Sequence, residues 1–177
     1  MAAYTLTQEI LAALNNKLKV GGIFCDLHKA FDCVNHNILL LKLEFYGILG
    51  KTNTLIKSYL QNRYQRVQIK KDTINYYSEW KLITDRVPQG SILGPLFFLL
   101  YINDLPKVIL ELSTPISFVD DTSLIITNPD SLQFEKDIKT VIQILHKWYY
   151  NNLLVLNFEK TQFLQFLTKN TNDINFT

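Results

Sequence analysis

Apolar positions recur along this chain with two periods, and the switches between them sketch its elements. Leu6, Ile10, Ala13, Leu14 and Leu18 fall at helical spacing, which predicts a helix over residues 5–19 packed on a core through one face. A near-continuous apolar run over 20–25 then stops at Asp26, the pattern of a buried strand with a carboxylate at its end. Residues 27–32 look like the start of a helical segment. Ile38, Leu39, Leu41, Leu43 and Tyr46 predict a helix closed by Gly47, a residue suited to a C-cap. A short helix is expected over 54–60. Val67 and Ile69 alternate with polar residues over 63–71, a strand with one wet face, and residues 76–83 pair with it as a hairpin. After a turn at 87–91, residues 92–105 read as a buried helix, with Gly90 and Gly94, four apart, on one face of it.

In the second half, the apolar run 116–119 leads into Asp120 and Asp121, and a second run follows over 123–126. This predicts a strand, a tight turn carrying both carboxylates, and a returning strand. Asp130 or Ser131 can cap a long helix to about residue 150, with Ile138, Val141, Ile142, Leu145 and Tyr149 as its stripe. Residues 153–156 and 163–167 are strand-like. The Asn- and Thr-rich tail from Thr168 is expected to fray. Residues 1–167 are therefore expected to form one domain, and residues 168–177 a polar tail.

Composition narrows this picture only slightly. A chain of 177 residues with 47% hydrophobic positions can bury one sizeable core. Residues 1–19 lack the charged start and apolar run of a signal peptide. The most apolar stretch, 92–102, contains Pro95 and is too short to span a bilayer, so no membrane partner is expected. Eighteen basic against sixteen acidic residues leave a net charge of +2, which permits a nucleic-acid partner without requiring one. Arg63, Arg66, Lys70 and Lys71 form the densest basic group, which suits either a solvated strand face or a phosphate backbone. Cys25 and Cys33 are too few for a disulfide framework. Cys25-x-x-His28 and Cys33-x-x-His36 have the spacing of a zinc site, yet Cys25 lies in an apolar strand, where a buried cysteine acts as a small hydrophobe.

The candidate chemistry lies in the carboxylates. Asp120-Asp121 alone reads as an acidic turn before it reads as a site for a hard cation. Asp26, at the end of another strand, bears on that choice. Two such strands lying side by side would gather three carboxylates, a set able to hold two Mg2+ ions about 3.5–4 Å apart for nucleotidyl transfer.

Five stretches, in order, carry a resemblance. They are Phe24-Cys25-Asp26-Leu27-His28-Lys29-Ala30-Phe31-Asp32; Val87-Pro88-Gln89-Gly90-Ser91-Ile92-Leu93-Gly94-Pro95-Leu96; Tyr101-Ile102-Asn103-Asp104-Leu105-Pro106; Phe118-Val119-Asp120-Asp121-Thr122; and Leu156-Asn157-Phe158-Glu159-Lys160-Thr161. Together they resemble the reverse transcriptase of non-LTR (LINE-type, Jockey-like) retrotransposons, over nearly the whole chain to about Leu167.

The resemblance implies an α+β fold, the reverse-transcriptase-like polymerase palm, an antiparallel sheet backed by helices, with partial fingers. It implies an RNA-directed DNA polymerase that takes dNTPs, an RNA template and a DNA primer, with Mg2+ as cofactor and Mn2+ able to stand in. Asp26, Asp120 and Asp121 match the metal-binding catalytic carboxylates. Phe31 matches the aromatic residue under the sugar that excludes a 2′-hydroxyl. Gln89, Gly90 and Ser91 match the motif at the incoming nucleotide and template, and Lys160 the lysine at the pyrophosphate leaving group. Beside such a site, Arg63, Arg66, Lys70 and Lys71 would suit the nucleic-acid backbone. The fingers, thumb and endonuclease segments of a parent polyprotein are implied as partners, and the nucleus as location.

Elementary chemistry agrees with two of these roles. A phenyl ring gives an extra hydroxyl no partner, although Phe31 is also in place as a core residue. A lysine can donate a proton or stabilise developing charge, although Lys160 is also an ordinary surface lysine. The chain departs from the family at Arg86, where Gly is usual, and at Val119, where Ala is commoner. A working polymerase palm and an inactive remnant that keeps the fold both remain open. An unrelated magnesium nucleotidyltransferase or cyclase palm is disfavoured by Gln89-Gly90-Ser91.

Overall fold

A computed structural model of the chain describes residues 2–87, 90–118 and 121–168. The elements run α1 (Ala2–Asn15), β1 (Lys19–Cys25), a 3-10 turn (Ala30–Asp32), α2 (His36–Phe45), α3 (Gly50–Leu60), β2 (Arg63–Gln65), β3 (Gln68–Lys71), β4 (Ile74–Tyr77), β5 (Lys81–Ile83), α4 (Leu93–Ile102), α5 (Leu105–Ile109), β6 (Thr114–Phe118), β7 (Asp121–Asn128), α6 (Ser131–Asn151) and β8 (Gln162–Phe166). They divide into two compact units. One is built from residues up to Ala30 together with those from Ile102 onward, the other from Phe31–Tyr101.

The discontinuous unit holds a four-stranded antiparallel sheet in the order β6-β7-β1-β8. β1 is paired on both edges, with Val20 opposite Thr127 of β7 and Phe166 of β8. Alternation along β1 gives each face its own cover. Val20 shares a face with Ile125, and both pack against Leu6, Ile10 and Leu14 of α1. On the opposite face Ile23, Cys25, Leu124 and Ile126 are buried beneath the α6 side. Gly21 lies on that second face. A Cβ there would sit 2.9 Å from the Phe163 ring and 3.0 Å from that of Phe134, so its glycine lets both rings close onto the strand.

α6 begins where the polar signal placed it. The Asp130 side chain accepts from the Gln133 backbone N–H at 2.7 Å, satisfying one of the first-turn donors. Ile138, Val141, Leu145 and Tyr149 are buried as the stripe required, but Ile142 is 47% exposed.

Three expected elements differ. The segment 27–32 is not an opening helical stretch: Lys29 stands at φ +51, a left-handed conformation that interrupts a helix, and only the 3-10 turn follows. Residues 153–156 form no strand. Leu153 leaves α6 at φ +53, and Leu156 makes a single bridge, to Leu27. The helix read over 92–105 is two helices, because Pro106 in the first turn of α5 has no N–H to donate to the Ile102 carbonyl and cannot continue α4. Gly90 lies in a turn ahead of α4 at φ +79, outside the helix, so it shares no helix face with Gly94.

In the unit Phe31–Tyr101, Leu39, Leu43, Leu60, Phe98 and Tyr101 are fully buried. Its hairpin is more broken than expected. β2 pairs with β5 and β3 with β4. Between the two pairs the Val67 N–H donates to Ser78 Oγ at 2.8 Å and the Ser78 N–H to the Val67 carbonyl at 2.9 Å. β3 and β4 are exposed on both faces, not one.

Candidate active site

Register decides where the carboxylates go. Cys25 pairs with Thr122 in the antiparallel ladder of β1 and β7, so Asp26, one step further, falls opposite Asp121. Period-two alternation puts both on the face of Phe24 and Ser123, while Cys25 and Thr122 turn inward on the other. Phe24, Asp26, Asp121, Ser123 and Lys160 line one cavity of about 250 Å³. Asp121 is the first residue of β7 and pairs with Phe118, not part of the connecting turn. Asp120 and Val119 lie outside the described residues, as do Pro88, Gln89 and the tail beyond Thr168.

A loop from the end of the chain straps Asp26. The Asn157 N–H donates to the Asp26 carbonyl at 2.9 Å, and the Asn157 side-chain amide to Asp26 Oδ2 at 3.0 Å. The Asp26 N–H reaches Thr161 Oγ1 at 3.4 Å. The His28 N–H donates to the Val155 carbonyl at 2.8 Å. Lys160 Nζ lies 3.9 Å from Asp26 Oδ2, with 69% of the lysine side chain exposed, so the pair is a weak, screened one. The loop itself is held by Lys160 and Thr161 N–H groups donating to the Asn157 carbonyl. Asn157 is the site residue that residue-by-residue reading missed. Its signal was its place three residues before Lys160 in a quoted stretch.

Behind this end of the sheet, burial pushes the Cys25 thiol from 9.0 up to about 11, an effect partly offset by the neighbouring Tyr149 phenol. The Tyr149 phenol is also raised, first by burial and then by the neighbouring Cys25. Cys25 therefore serves as core. Among the described residues no group of three or more His, Cys, Asp or Glu side chains can hold a metal ion, so the Cys25, His28, Cys33 and His36 spacing forms no zinc site. His36 Nε2 instead lies 2.7 Å from the Arg86 carbonyl. Asp26 and Asp121 are two hard, partly solvated oxygen donors facing each other, a donor set that fits a divalent cation such as Mg2+.

The remaining site residues lie in the other unit. Phe31 packs against Phe98, ring centroids 5.0 Å apart at 44°. The Ser91 hydroxyl accepts from the Gly94 N–H at 3.0 Å, capping the first turn of α4. The basic group does not act as one. The Arg63 guanidinium lies 5.4 Å from the Tyr59 ring and lines a cavity of about 350 Å³ with Asp32, His36 and Arg86. Arg66 sits between Tyr77 and Trp80, at 4.0 and 4.6 Å from their ring centroids. Lys70 and Lys71 are exposed on β3. Among the described residues, no helix is long and apolar enough to cross a membrane.

An antiparallel sheet backed by helices, with two facing carboxylates at one end, defines a palm-type polymerase fold. Solved telomerases share it. Apo telomerase from Candida tropicalis, truncated from its C-terminal domain, superposes with a TM-score of 0.64 over 98% of this chain and 36% of its own, at 19% identity. The same organism's telomerase in complex with the TWJ fragment of telomeric RNA gives 0.63, over 98% and 31%, at 20% identity. The model of the family "Reverse transcriptase (RNA-dependent DNA polymerase)" matches residues 4–176, and the chain belongs to that family. Its relatives bear out the non-LTR recognition. It is 29% identical to the probable RNA-directed DNA polymerase from transposon BS of Drosophila melanogaster, over 89% of this chain and 18% of that protein. It is 28% identical to the enzyme from mobile element jockey of the same fly, over 85% and 16%. Against the probable enzyme from transposon X-element the identity is 32%, over 67% and 13%. The chain thus spans less than a fifth of the length of these curated relatives.

Proposed function

We propose that this chain is the catalytic palm of an RNA-directed DNA polymerase, which joins dNTPs to a primer 3′-hydroxyl on an RNA template. The observation that carries this reading is the facing of Asp26 and Asp121 on one side of the sheet's end. Asp26, Asp121 and the adjoining Asp120 would hold two divalent ions, Mg2+ with Mn2+ able to stand in. Held by these residues, such ions would lower the pKa of the primer hydroxyl and offset triphosphate charge.

The chain's own side chains prepare that chemistry. Asn157 fixes one Asp26 oxygen by donating to it, which leaves the other carboxylate oxygen free of that bond. Lys160, exposed and beside the carboxylates, is the group that donates a proton to the departing pyrophosphate or stabilises its developing charge. Phe31 is the apolar floor under the sugar. Gln89, Gly90 and Ser91 meet the nucleotide and template, and of the basic group Arg66 and Lys70 face the nucleic acid. The fingers, thumb and endonuclease segments of a parent polyprotein are its partners in the reaction.

Primer extension on an RNA template with dNTPs and Mg2+ tests this, with Asp26→Asn and Asp120→Asn in parallel. Each substitution keeps shape and removes a charged ligand, so extension is lost while the urea midpoint barely moves. Extension retained by either variant contradicts the site. No extension by the wild-type chain, alone or with the flanking segments of a relative supplied, would favour a remnant that keeps the fold without the activity.

A further inference from the structure

The ribbon formed by β2 to β5, residues 63–83, carries the chain's whole basic surplus. It holds Arg63, Arg66, Lys70, Lys71 and Lys81 against Asp72 and Glu79. The chain overall has eighteen basic and sixteen acidic residues, so the rest of it taken together holds thirteen basic against fourteen acidic. The outer pair, β3 and β4, is exposed on both faces. A two-stranded ribbon covered on neither face is marginal by itself.

Its two faces are chemically distinct. The register pairs Ile69 with Tyr76 and Lys71 with Ile74, and pairs Gln68 with Tyr77 and Lys70 with Asn75. Alternation therefore puts Ile69, Lys71, Ile74 and Tyr76 on one face, and Gln68, Lys70, Asn75 and Tyr77 on the other. Arg66 joins the second face, because its guanidinium lies over the Tyr77 ring and also over Trp80. A planar guanidinium held between two rings loses little further freedom on binding, and its N–H edges stay available to a phosphate. Tyr77 is 49% and Trp80 59% exposed, which leaves aromatic surface beside the cations.

We infer that the Arg66–Lys70–Tyr77–Trp80 face of this ribbon is a track for an unpaired nucleic-acid strand. Arg66 and Lys70 take successive phosphates, and the exposed aromatic surface stacks bases. Cations interleaved with aromatic rings are how single strands are gripped without sequence readout. The inference rests on the proposed function for one point only, that the strand is the RNA template. It divides the basic group: Lys71 points to the other face and Arg63 to its own cavity, so neither belongs to the track.

The test is fluorescence anisotropy of the full chain with a labelled oligouridylate of about 15 nucleotides, within the usual site size for such surfaces, over a salt series. Arg66→Ala and Lys70→Ala each weaken binding and flatten the slope of log K against log salt by about one. Trp80→Ala weakens binding at unchanged slope, and Lys71→Ala changes neither. Arg66→Lys keeps the charge but loses the planar stack, so it falls between wild type and Arg66→Ala. A thermal melt of each variant, unchanged from wild type, assigns these losses to binding. The track is overturned if Lys71→Ala costs as much as Lys70→Ala, if Arg66→Lys matches wild type, or if a duplex of equal length binds as tightly with Trp80→Ala silent. It is equally overturned if the ribbon variants change self-association by sedimentation but not RNA binding. Asp26→Asn binds the oligonucleotide like wild type. If that variant also extends primers while Arg66→Ala loses RNA, the polymerase reading fails and the track stands. The reverse pattern removes the track alone.

Discussion

Arg86 stands at φ +87, where an L side chain costs about 1–2 kcal/mol. The family's usual glycine at this position has a physical reason, since glycine adopts this conformation freely. Arg86 is anchored in spite of the strain. Its N–H donates to the Val34 carbonyl at 3.0 Å, and its Nε lies 3.9 Å from Asp32 Oδ1, with 51% and 25% of the two side chains exposed. A half-exposed pair of that length returns at most a fraction of the strain. Arg86→Gly is therefore expected to stabilise the protein by about 0.5–1 kcal/mol net of the added chain entropy, read as a raised urea midpoint. Arg86→Ala, which keeps the strain and loses the pair, should lower it. The sequence marked Arg86 only as a departure from the family's glycine. A backbone angle leaves no trace in a single sequence, so the reason was hidden. Asn157 was hidden differently: its bond to Asp26 spans 131 positions, beyond any local pattern.

Among the elements, legibility followed burial. α1, β1, α2, β7 and α6 each bury a face, and their periods were plain. The misread segments, 27–32 and 153–156, are where backbone turns at Lys29 and Leu153 override an apolar run. The ribbon was misread because Val67 and Ile69 alternate with polar residues as if one face were covered, while β3 and β4 are bare on both. Where β1 meets α6, Cys25 and Tyr149 make one consequence measurable. Both groups have folded-state pKa values raised by burial. They favour the folded state fully below their unfolded values, and that contribution is lost as pH rises. For Cys25 the window runs from 9.0 to about 11. Unfolding free energy should fall across it, and Cys25→Ala should shallow the fall. A flat profile over that range would contradict the buried, neutral thiol. The same burial predicts that Cys25 resists alkylation at pH 8 until the protein is unfolded.

At the scale of the molecule, the α+β class and the palm with its antiparallel sheet were legible, because the motifs fixed which strands end in carboxylates. The division at Ala30 and Ile102 was not, since a unit built from two distant stretches has no compositional seam. Protection should be as uneven as burial is. Amide exchange followed by mass spectrometry is expected to be slowest in β1, paired on both edges, and fastest among the strands in β3 and β4. Equal rates would contradict the contrast. The central position of β1 also bears on how the molecule comes into being. A chain is made from its N-terminus at about 5–20 residues per second, and both strands that flank β1 emerge long after it. Through that interval an apolar strand with Gly21 and Gly22 waits with open edges, the state most exposed to wrong pairing. Nascent copies of this protein therefore have their greatest need of a chaperone before Gln162 is made, and translation halted short of Asn157 leaves Asp26 without the strap that orients it.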